Sequence, residues 1–438
     1  MKILLIGSGA REHAIAKSLT KHQPCVSLVV YATHHNAALF SLCDAYTLGS
    51  LTQIKPMIDF ALAQGCQLAI IGPEAPLEAG VTDALLKIGI NTIGPTKNLA
   101  QIETSKGFAR DLLSNYQVPG MPHYRAFKNY TDDADTFLQT LNEDYVIKAD
   151  GLMGGKGVLL SKEHLKTEED ALTYIKQLNG PFVIEEKLVG PEFSVMCFTD
   201  GQSLCQMPAV QDHKRAHVGD TGPNTGGMGS YSDVDHSLPF LTEADLNAAH
   251  KINEKALDAL QTAVGGQYVG ILYGGFMLTK DGVKLIEYNA RFGDPEVINV
   301  LAVLKNDLVD VFRHMTQSTL HNVNLSFEQK ATVVKYIVPQ GYPLNPLKNV
   351  PINISAVSHN AQLFHGSVNQ TDTELLMAGS RAFAILGTGK SIQHAEQAAE
   401  AEAKLITGPC YYRPDIGTEA LIHERIATAN QLRQRARV

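Results

Sequence analysis

Residues 145–161, YVIKADGLMGGKGVLLS, read as a strand, a glycine-rich loop and a second strand. The loop is not a Walker phosphate loop: Asp150 stands where the first glycine of that motif belongs, and Gly157 where its Ser or Thr belongs. A loop joining two strands can instead close over a triphosphate, with backbone donors and a point charge from Lys148. The same residues also suit a mobile solvent loop. After one helical stretch comes PFVIEEKL (181–188), a strand running into a polar connection; the segment Asp212–Ser232 is almost all polar and glycine; then come a helix over Leu241–Thr262 and a hairpin, GILYGGFML and GVKLIEYNARFGDPE, ending in charged residues. A period of two puts Glu287, Asn289 and Arg291 on one strand face. A carboxylate and an amide oxygen two residues apart are hard ligands suited to Mg²⁺ on nucleotide phosphates, and Arg291 beside them can neutralise a charged intermediate.

Upstream, Lys2–Ile6, Ser27–Tyr31 and Leu68–Ile71 are short apolar strands separated by helical spacing, which predicts an α/β unit on a parallel sheet. Ligands of such sheets lie beyond the strand carboxyl ends, so the loops Gly7–His13 and Gly72–Glu78 become site candidates. Gly7-x-Gly9-x-x-Glu12 departs from the dinucleotide fingerprint, because glutamate replaces the third glycine and the second strand ends in Ala32-Thr33-His34 without an acidic residue. What survives is a turn presenting backbone N–H groups and Arg11 to a phosphate, or simply a close strand-to-helix turn. A boundary is expected near residue 100, before a helix led by Thr104-Ser105. A third region opens at ATVVKYIVP (331–339), with a strand AFAILG, an Ala/Glu-rich helix from Ile392 and a charged C-terminal helix whose Arg433, Arg435 and Arg437 read as a solvated end.

The 438 residues allow about two to four domains. With 44% hydrophobic and 19% charged residues the composition is that of a globular chain. MKILLIGSGAREHA turns polar too early for a signal peptide and no apolar run reaches membrane length, so a cytoplasmic protein with no membrane partner is expected. Six scattered cysteines without a C-x-x-C pair point to neither a disulfide framework nor zinc, and His34 and His35 lack a third ligand. A net charge of −8 argues against a nucleic-acid partner.

The landmarks GSGAREHA (7–14), IIGPEAPL (70–77), VIKADGLMGGKGV (146–158), VIEEKL (183–188), QDHKR (211–215), GDTGPNTGGMGSYS (219–232), IEYNARFGDPE (286–296), GYP (341–343), FHG (364–366) and RPDIG (413–417) resemble those of ATP-grasp enzymes and, within them, the phosphoribosylamine–glycine ligase family, over essentially the whole chain. The resemblance implies an N-terminal parallel α/β domain (1–103), a two-part ATP-grasp fold (104–328, with a lid at about 122–190) and a small C-terminal α+β domain (329–438). It implies a monomer that joins glycine to 5-phosphoribosylamine through a glycyl phosphate, with ATP and Mg²⁺ or Mn²⁺, in purine synthesis. On ATP it places Lys106, Lys148, Gly154, Gly155, Lys156 and Gly157, with Glu185, Glu186 and Leu188 at the adenine hinge and Glu192 on the ribose. Glu287 and Asn289 fall on the metal. The other substrates fall to Gly9, Arg11, Glu12, Glu74, Asp220, Thr221, Asn224, Gly226, Arg291 and Asp294, and the catalytic set is Arg291, Lys148 and Asp212. Rivals are an ATP-grasp ligase with another amine acceptor, and a non-catalytic nucleotide-binding regulator. The chain also departs from the family pattern. Thr33–Ala38 is bulkier than the family's glycine-rich turn, Met153-Gly154 replaces two alanines, Ile298 replaces Gln or Met, the stretch between Gly157 and Val183 is short, and Ala378–Arg381 loosens a two-glycine motif.

Overall fold

The computed structural model describes residues 1–22, 26–153, 157–358 and 362–436. The N-terminal strands form one parallel sheet in the order Ala45–Leu48, Ser27–Ala32, Lys2–Ile6, Leu68–Ile71, Asn91–Ile93. Their apolar runs are buried on both faces, as a parallel sheet covered by helices requires. Chain direction across the sheet reverses between Lys2–Ile6 and Leu68–Ile71, so the loops after these two strands open into the same crevice.

The lid is an antiparallel sheet ordered Tyr124–Phe127, Phe182–Glu186, Tyr145–Ala149, Val158–Leu160, with the strands flanking the glycine-rich loop paired Val146 to Leu160 and Lys148 to Val158. Helices Asp132–Thr140 and Glu168–Gln177 cover one face, and Phe127, Phe137, Ile147, Ile175 and Phe182 form a small core separate from that of the rest of the molecule. Facing it is a second antiparallel sheet, Leu204–Gln206, Glu192–Asp200, Val269–Thr279, Gly282–Asn289, backed by the helix Glu243–Val264. The helix expected after Thr104-Ser105 is Lys106–Asn115, and the Ser105 side chain caps it by accepting from the Phe108 N–H. No described helix is long and apolar enough to cross a membrane.

Two expectations are corrected. The stretch 212–232 is not a bare connection. Arg215–His217 and Thr221–Asn224 form a hairpin, and Gln211–Asp212 with Gly229–Ser232 join a sheet continued by Ala331–Pro339, Phe383–Gly389 and Gln362–His365. Its strand Gly229–Ser232 (GSYS) is wholly buried without an apolar alternation, because Ser230 bonds Asn299 and Ser232 Oγ donates to the Ala209 carbonyl. Nor is the C-terminal helix end merely solvated: Arg433 pairs with Asp245 at 2.6 Å and donates to the Phe240 carbonyl.

The bulky turn after Ser27–Ala32 anchors the C-terminal region. Asn36 Nδ2 donates to the carbonyls of Ser8 (3.0 Å) and His365 (2.8 Å), and His34 Nε2 lies 3.2 Å from the Gly366 carbonyl. The His365 N–H donates to His13 Nδ1 at 3.0 Å, which fixes His13 as a neutral ring with its proton on Nε2. Burial is the main cause that holds His13 near a pKa of about 3 and His365 near about 4. Both stay neutral when folded and take up protons near pH 6.5 when unfolded, so the unfolded state binds more protons and stability falls as pH drops from about 6.5 toward 4. Denaturant titrations across this range should show that slope, and His365→Phe should make it shallower; an unchanged slope would remove His365 from the account.

Candidate active site

The two antiparallel sheets, the N-terminal loops and the C-terminal region enclose a cleft of about 830 Å³. Its closed end is built around a buried trio. Glu185, on the lid strand Phe182–Glu186, pairs with Lys148 on one side and receives Arg110 Nε at 2.8 Å on the other. The remaining donors reach the other sheet: Arg110 NH2 donates to the Ile286 carbonyl at 2.6 Å and Lys148 Nζ to the same oxygen at 3.2 Å. Burial holds the Lys148 ammonium below its ordinary pKa, while the two cations outweigh burial and hold Glu185 below the usual carboxylate range. The Glu185 carboxylate is thus committed to these cations, and its backbone lies in an interior strand between Tyr124 and Val146, so an adenine hinge falls to the chain beyond it. Leu160, Val183, Leu188, Met277 and Leu285 supply an apolar slot suited to a flat base.

Lys106 joins Lys148 here through Asp150, whose carboxylate accepts from Ser105 Oγ at 2.9 Å and from the backbone N–H of Lys106, while Lys106 Nζ donates to the Gly151 carbonyl at 2.8 Å. The residue that breaks the Walker pattern therefore ties the lid loop to a helix N-terminus. Gly157 lines the cleft; Gly154, Gly155 and Lys156 lie outside the described residues.

Along the floor, Glu287 sits 3.2 Å from Lys214 Nζ, and Glu192 is 3.8 Å from the same nitrogen. That ammonium, against the effect of burial, brings the Glu287 carboxyl down to about 2. Asn289 Oδ1 accepts from Arg291 NH2 at 3.2 Å. An ionised carboxylate and an amide oxygen on one strand face fit a divalent metal, since Mg²⁺ usually draws its remaining ligands from phosphate and water.

Toward the N-terminal sheet Arg291 lies 2.9 Å from Glu103 and 3.4 Å from Glu74. Arg11 approaches from the N-terminal sheet, donating to the Phe292 carbonyl at 3.3 Å. Burial raises the Glu103 carboxyl, whereas for Glu74 the guanidinia of Arg291 and Arg11 overcome it and lower the value. Asp212 is raised well above the carboxylate range, by burial and then by the nearby Glu296.

Most of the expected residues reach this cleft: Arg11, Glu74, Lys106, Lys148, Glu185, Glu186, Leu188, Glu192, Asp212, Asp220, Asn224, Gly226, Glu287, Asn289, Arg291 and Asp294 all line it. Gly9, Glu12 and Thr221 are not among the lining residues. The Glu12 carboxylate is 2% exposed, accepts from the Gly9 N–H at 2.6 Å and from Arg11 Nε at 2.6 Å, and packs so close to Gly72 that a Cβ there would lie 2.1 Å from it. It shapes the turn and orients Arg11. Thr221 is exposed, donating to the Val218 carbonyl. Asp220 and Asp294 face the cleft with their carboxylates already engaged: Asp220 by Arg413 at 2.6 Å and by Arg425, Asp294 by Arg381 at 2.8 Å. Arg381 NH1 also donates to the carbonyls of Gly226 and Gly227 at 2.6 and 3.1 Å. Sequence reading missed Arg110, Lys214, Arg381 and Arg425 as site residues. Lys214 and Arg381 stood within quoted motifs, but Arg110 and Arg425 sit in helices whose local pattern carries no sign of a partner 75 or 205 residues away.

A parallel N-terminal sheet followed by two antiparallel sheets closing on a lysine-, glutamate- and asparagine-lined cleft defines an ATP-grasp protein. Three family models cover the chain in succession: the Phosphoribosylglycinamide synthetase N domain over residues 1–103, its ATP-grasp (A) domain over 104–297 and its C domain over 332–419. The chain belongs to the phosphoribosylglycinamide synthetase family. Phosphoribosylamine–glycine ligases of Methanococcus maripaludis and Methanocaldococcus jannaschii are each 46% identical to it over 99% of this chain and 100% of theirs. The crystal structure of a phosphoribosylamine–glycine ligase from Thermotoga maritima superposes with a TM-score of 0.79 at 26% identity, over 95% of this chain and 100% of that one. A biotin carboxylase domain from Hydrogenobacter thermophilus, crystallised with MgADP, ADP and bicarbonate, matches the fold with a TM-score of 0.70 at 13% identity, over 99% and 95% of the two chains.

The trio at the closed end sets a stability test. Arg110→Met leaves Glu185 with one cation and strips the Ile286 carbonyl of a donor, which should cost about 3–5 kcal/mol in denaturant unfolding. A cost below about 1 kcal/mol would mean that the two sheets are held by other contacts.

Proposed function

We propose that the cleft joins glycine to 5-phosphoribosylamine, converting ATP to ADP and phosphate and releasing glycinamide ribonucleotide. What carries this reading is the meeting in one cleft of Lys148, Glu287, Asn289 and Arg291 with Arg11 and Glu74 from the N-terminal sheet. ATP-grasp enzymes use ATP with a divalent metal; here Glu287 and Asn289 would hold Mg²⁺ or Mn²⁺, which when bound neutralises charge on the phosphates. Lys106 and Lys148 would meet phosphate oxygens, with the Gly157 backbone beside them. The chain leaving the lid strand after Glu185 and Glu186, at Leu188, would receive adenine, and Glu192 would accept from the ribose hydroxyls.

Glycine's carboxylate is a poor acyl donor. Its oxygen attacks the γ-phosphorus, ADP leaves, and the resulting glycyl phosphate carries a good leaving group. The ribosylamine nitrogen then attacks the carbonyl carbon, phosphate departs and the amine proton passes to solvent or to phosphate. No side-chain nucleophile is required. Arg291, held in place by Glu103 and Glu74, would offset the charge that develops on the transferring and carbonyl oxygens, and the enclosed cleft keeps water from the acyl phosphate. Arg11, oriented by Glu12, would hold the ribosylamine phosphate with the guanidinium nitrogens that Glu12 leaves free. Asn224 and Gly226 would border glycine on a loop kept in place through Asp220 and Asp294. The protein would act as a cytoplasmic monomer, organised as 1–103, 104–328 and 329–438.

Omission of each substrate in turn tests the reading, with ADP release and glycinamide ribonucleotide formation followed together. Product should require ATP, glycine and phosphoribosylamine at once; efficient turnover with a different amine would assign the acceptor site elsewhere. Glu287→Gln should lower kcat about 100-fold or more at limiting Mg²⁺, because a neutral amide cannot match a carboxylate's hold on the metal. Near-normal turnover there would remove Glu287 from the metal site. Arg11→Ala should raise KM for phosphoribosylamine about tenfold or more and leave KM for ATP alone. The opposite pattern would move the phosphate site.

A further inference from the structure

Lys214 projects from the polar turn between Gln211–Asp212 and Arg215–His217, and its ammonium stands between two carboxylates that come from different strands. Nζ is 3.2 Å from Glu287 Oε1 and 3.8 Å from Glu192 Oε2, with each of these side chains about one third to one half exposed to the cleft. Under the proposed function these carboxylates serve the metal and the ribose, so both are occupied before either ligand arrives. Two other lysines add positive potential at Glu287 without bonding it. Lys148 is spent on Glu185 and the Ile286 carbonyl, and Lys106 on the Gly151 carbonyl. Among the described residues, Lys214 is the cation paired directly with Glu287.

We propose that Lys214 is a resident counter-ion that keeps divalent metal off Glu287 until nucleotide binds, an inference that rests on the assignment of Glu287 to the metal. A bare divalent cation at Glu287 would stand within a few ångströms of the ammonium, and like charges at such range repel strongly in a partly desolvated cleft. The metal must therefore displace the lysine. A triphosphate reverses the balance, because its oxygens complete the coordination shell and accept the displaced ammonium at the same time. The backbone suits this exchange. The Lys214 carbonyl is held by the N–H and the hydroxyl of Thr225 at 2.7 and 2.9 Å, so the root is fixed while a four-carbon stem lets the charge swing. Metal enters together with nucleotide, and the free cleft stays open without a tightly bound ion.

The test measures Mn²⁺ binding to the whole protein with no nucleotide present, by the loss of the free-ion paramagnetic resonance signal. Lys214→Met keeps the apolar stem and should bind Mn²⁺ roughly tenfold tighter than the unaltered protein, a gain expected from lifting a like-charge contact. Lys214→Arg keeps the charge and should exclude the ion as the unaltered protein does, so a general loosening of the turn would be exposed by its behaving like the methionine variant. Adding Glu287→Gln to Lys214→Met should abolish the gain. If the unaltered protein and Lys214→Met bind Mn²⁺ equally, the counter-ion role is wrong, whatever Glu287 does. If Glu287→Gln alone leaves the affinity for Mn²⁺–ATP unchanged, the metal assignment itself fails.

Discussion

Arg110 lies 5% exposed between Glu185 on the lid sheet and the carbonyls of Leu285 and Ile286 on the opposing sheet. The guanidinium has enough fixed donors to serve both walls at once, and burying it without those acceptors would be prohibitive. Glu185 in turn fixes Lys148, and the strand of Ile286 continues directly into Glu287 and Asn289. The distance between the lid's lysine and the candidate metal ligands follows from this contact and from the bond of Lys148 to the Ile286 carbonyl. The lid has its own small core, so its placement depends on polar ties of this kind, among them Asp150 to Ser105 and Lys106 and the pair Arg215–Glu163.

The polar hairpin repeats the device with the C-terminal region. Arg413, fully buried, and Arg425 grip Asp220 at one end of the polar hairpin, and Arg381 grips Gly226, Gly227 and Asp294 at the other. A segment so rich in glycine and polar residues has little apolar area to bury and cannot hold its own shape. Its shape comes from arginines one to two hundred residues away in sequence. The GDTGPNTGGMG run is thus suspended from the C-terminal region, which is why that region belongs to the site and is not merely an appendage.

Charge in the cleft is dense and paired. Arg11, Lys106, Lys148, Lys214, Arg291 and Arg381 converge on one cavity that carboxylates line as well. Each is matched in the free protein by a carboxylate or a carbonyl, so the cations arrive oriented for anionic substrates. Electrostatic preorganisation of this kind removes much of the reorientation that water would need in phosphoryl transfer.

The sequence by itself determined the parallel N-terminal sheet, the lid hairpin and the strand bearing Glu287 and Asn289, because apolar periodicity and glycine placement are local properties that survive in any context. It also marked Arg11, Glu74, Lys148 and Arg291, which stand at strand ends or beside them, where such sheets keep their ligands. Tertiary structure alone decided that Glu12 turns inward as a cap, that Asp220 and Asp294 hold loops with their carboxylates, and that GSYS is a buried strand. It also brought in Arg110, Lys214, Arg381 and Arg425 as partners. These are pairings of polar groups across long chain separations. Which carboxylate meets which cation depends on where the backbone is carried by packing, and no spacing rule along one strand or helix encodes it.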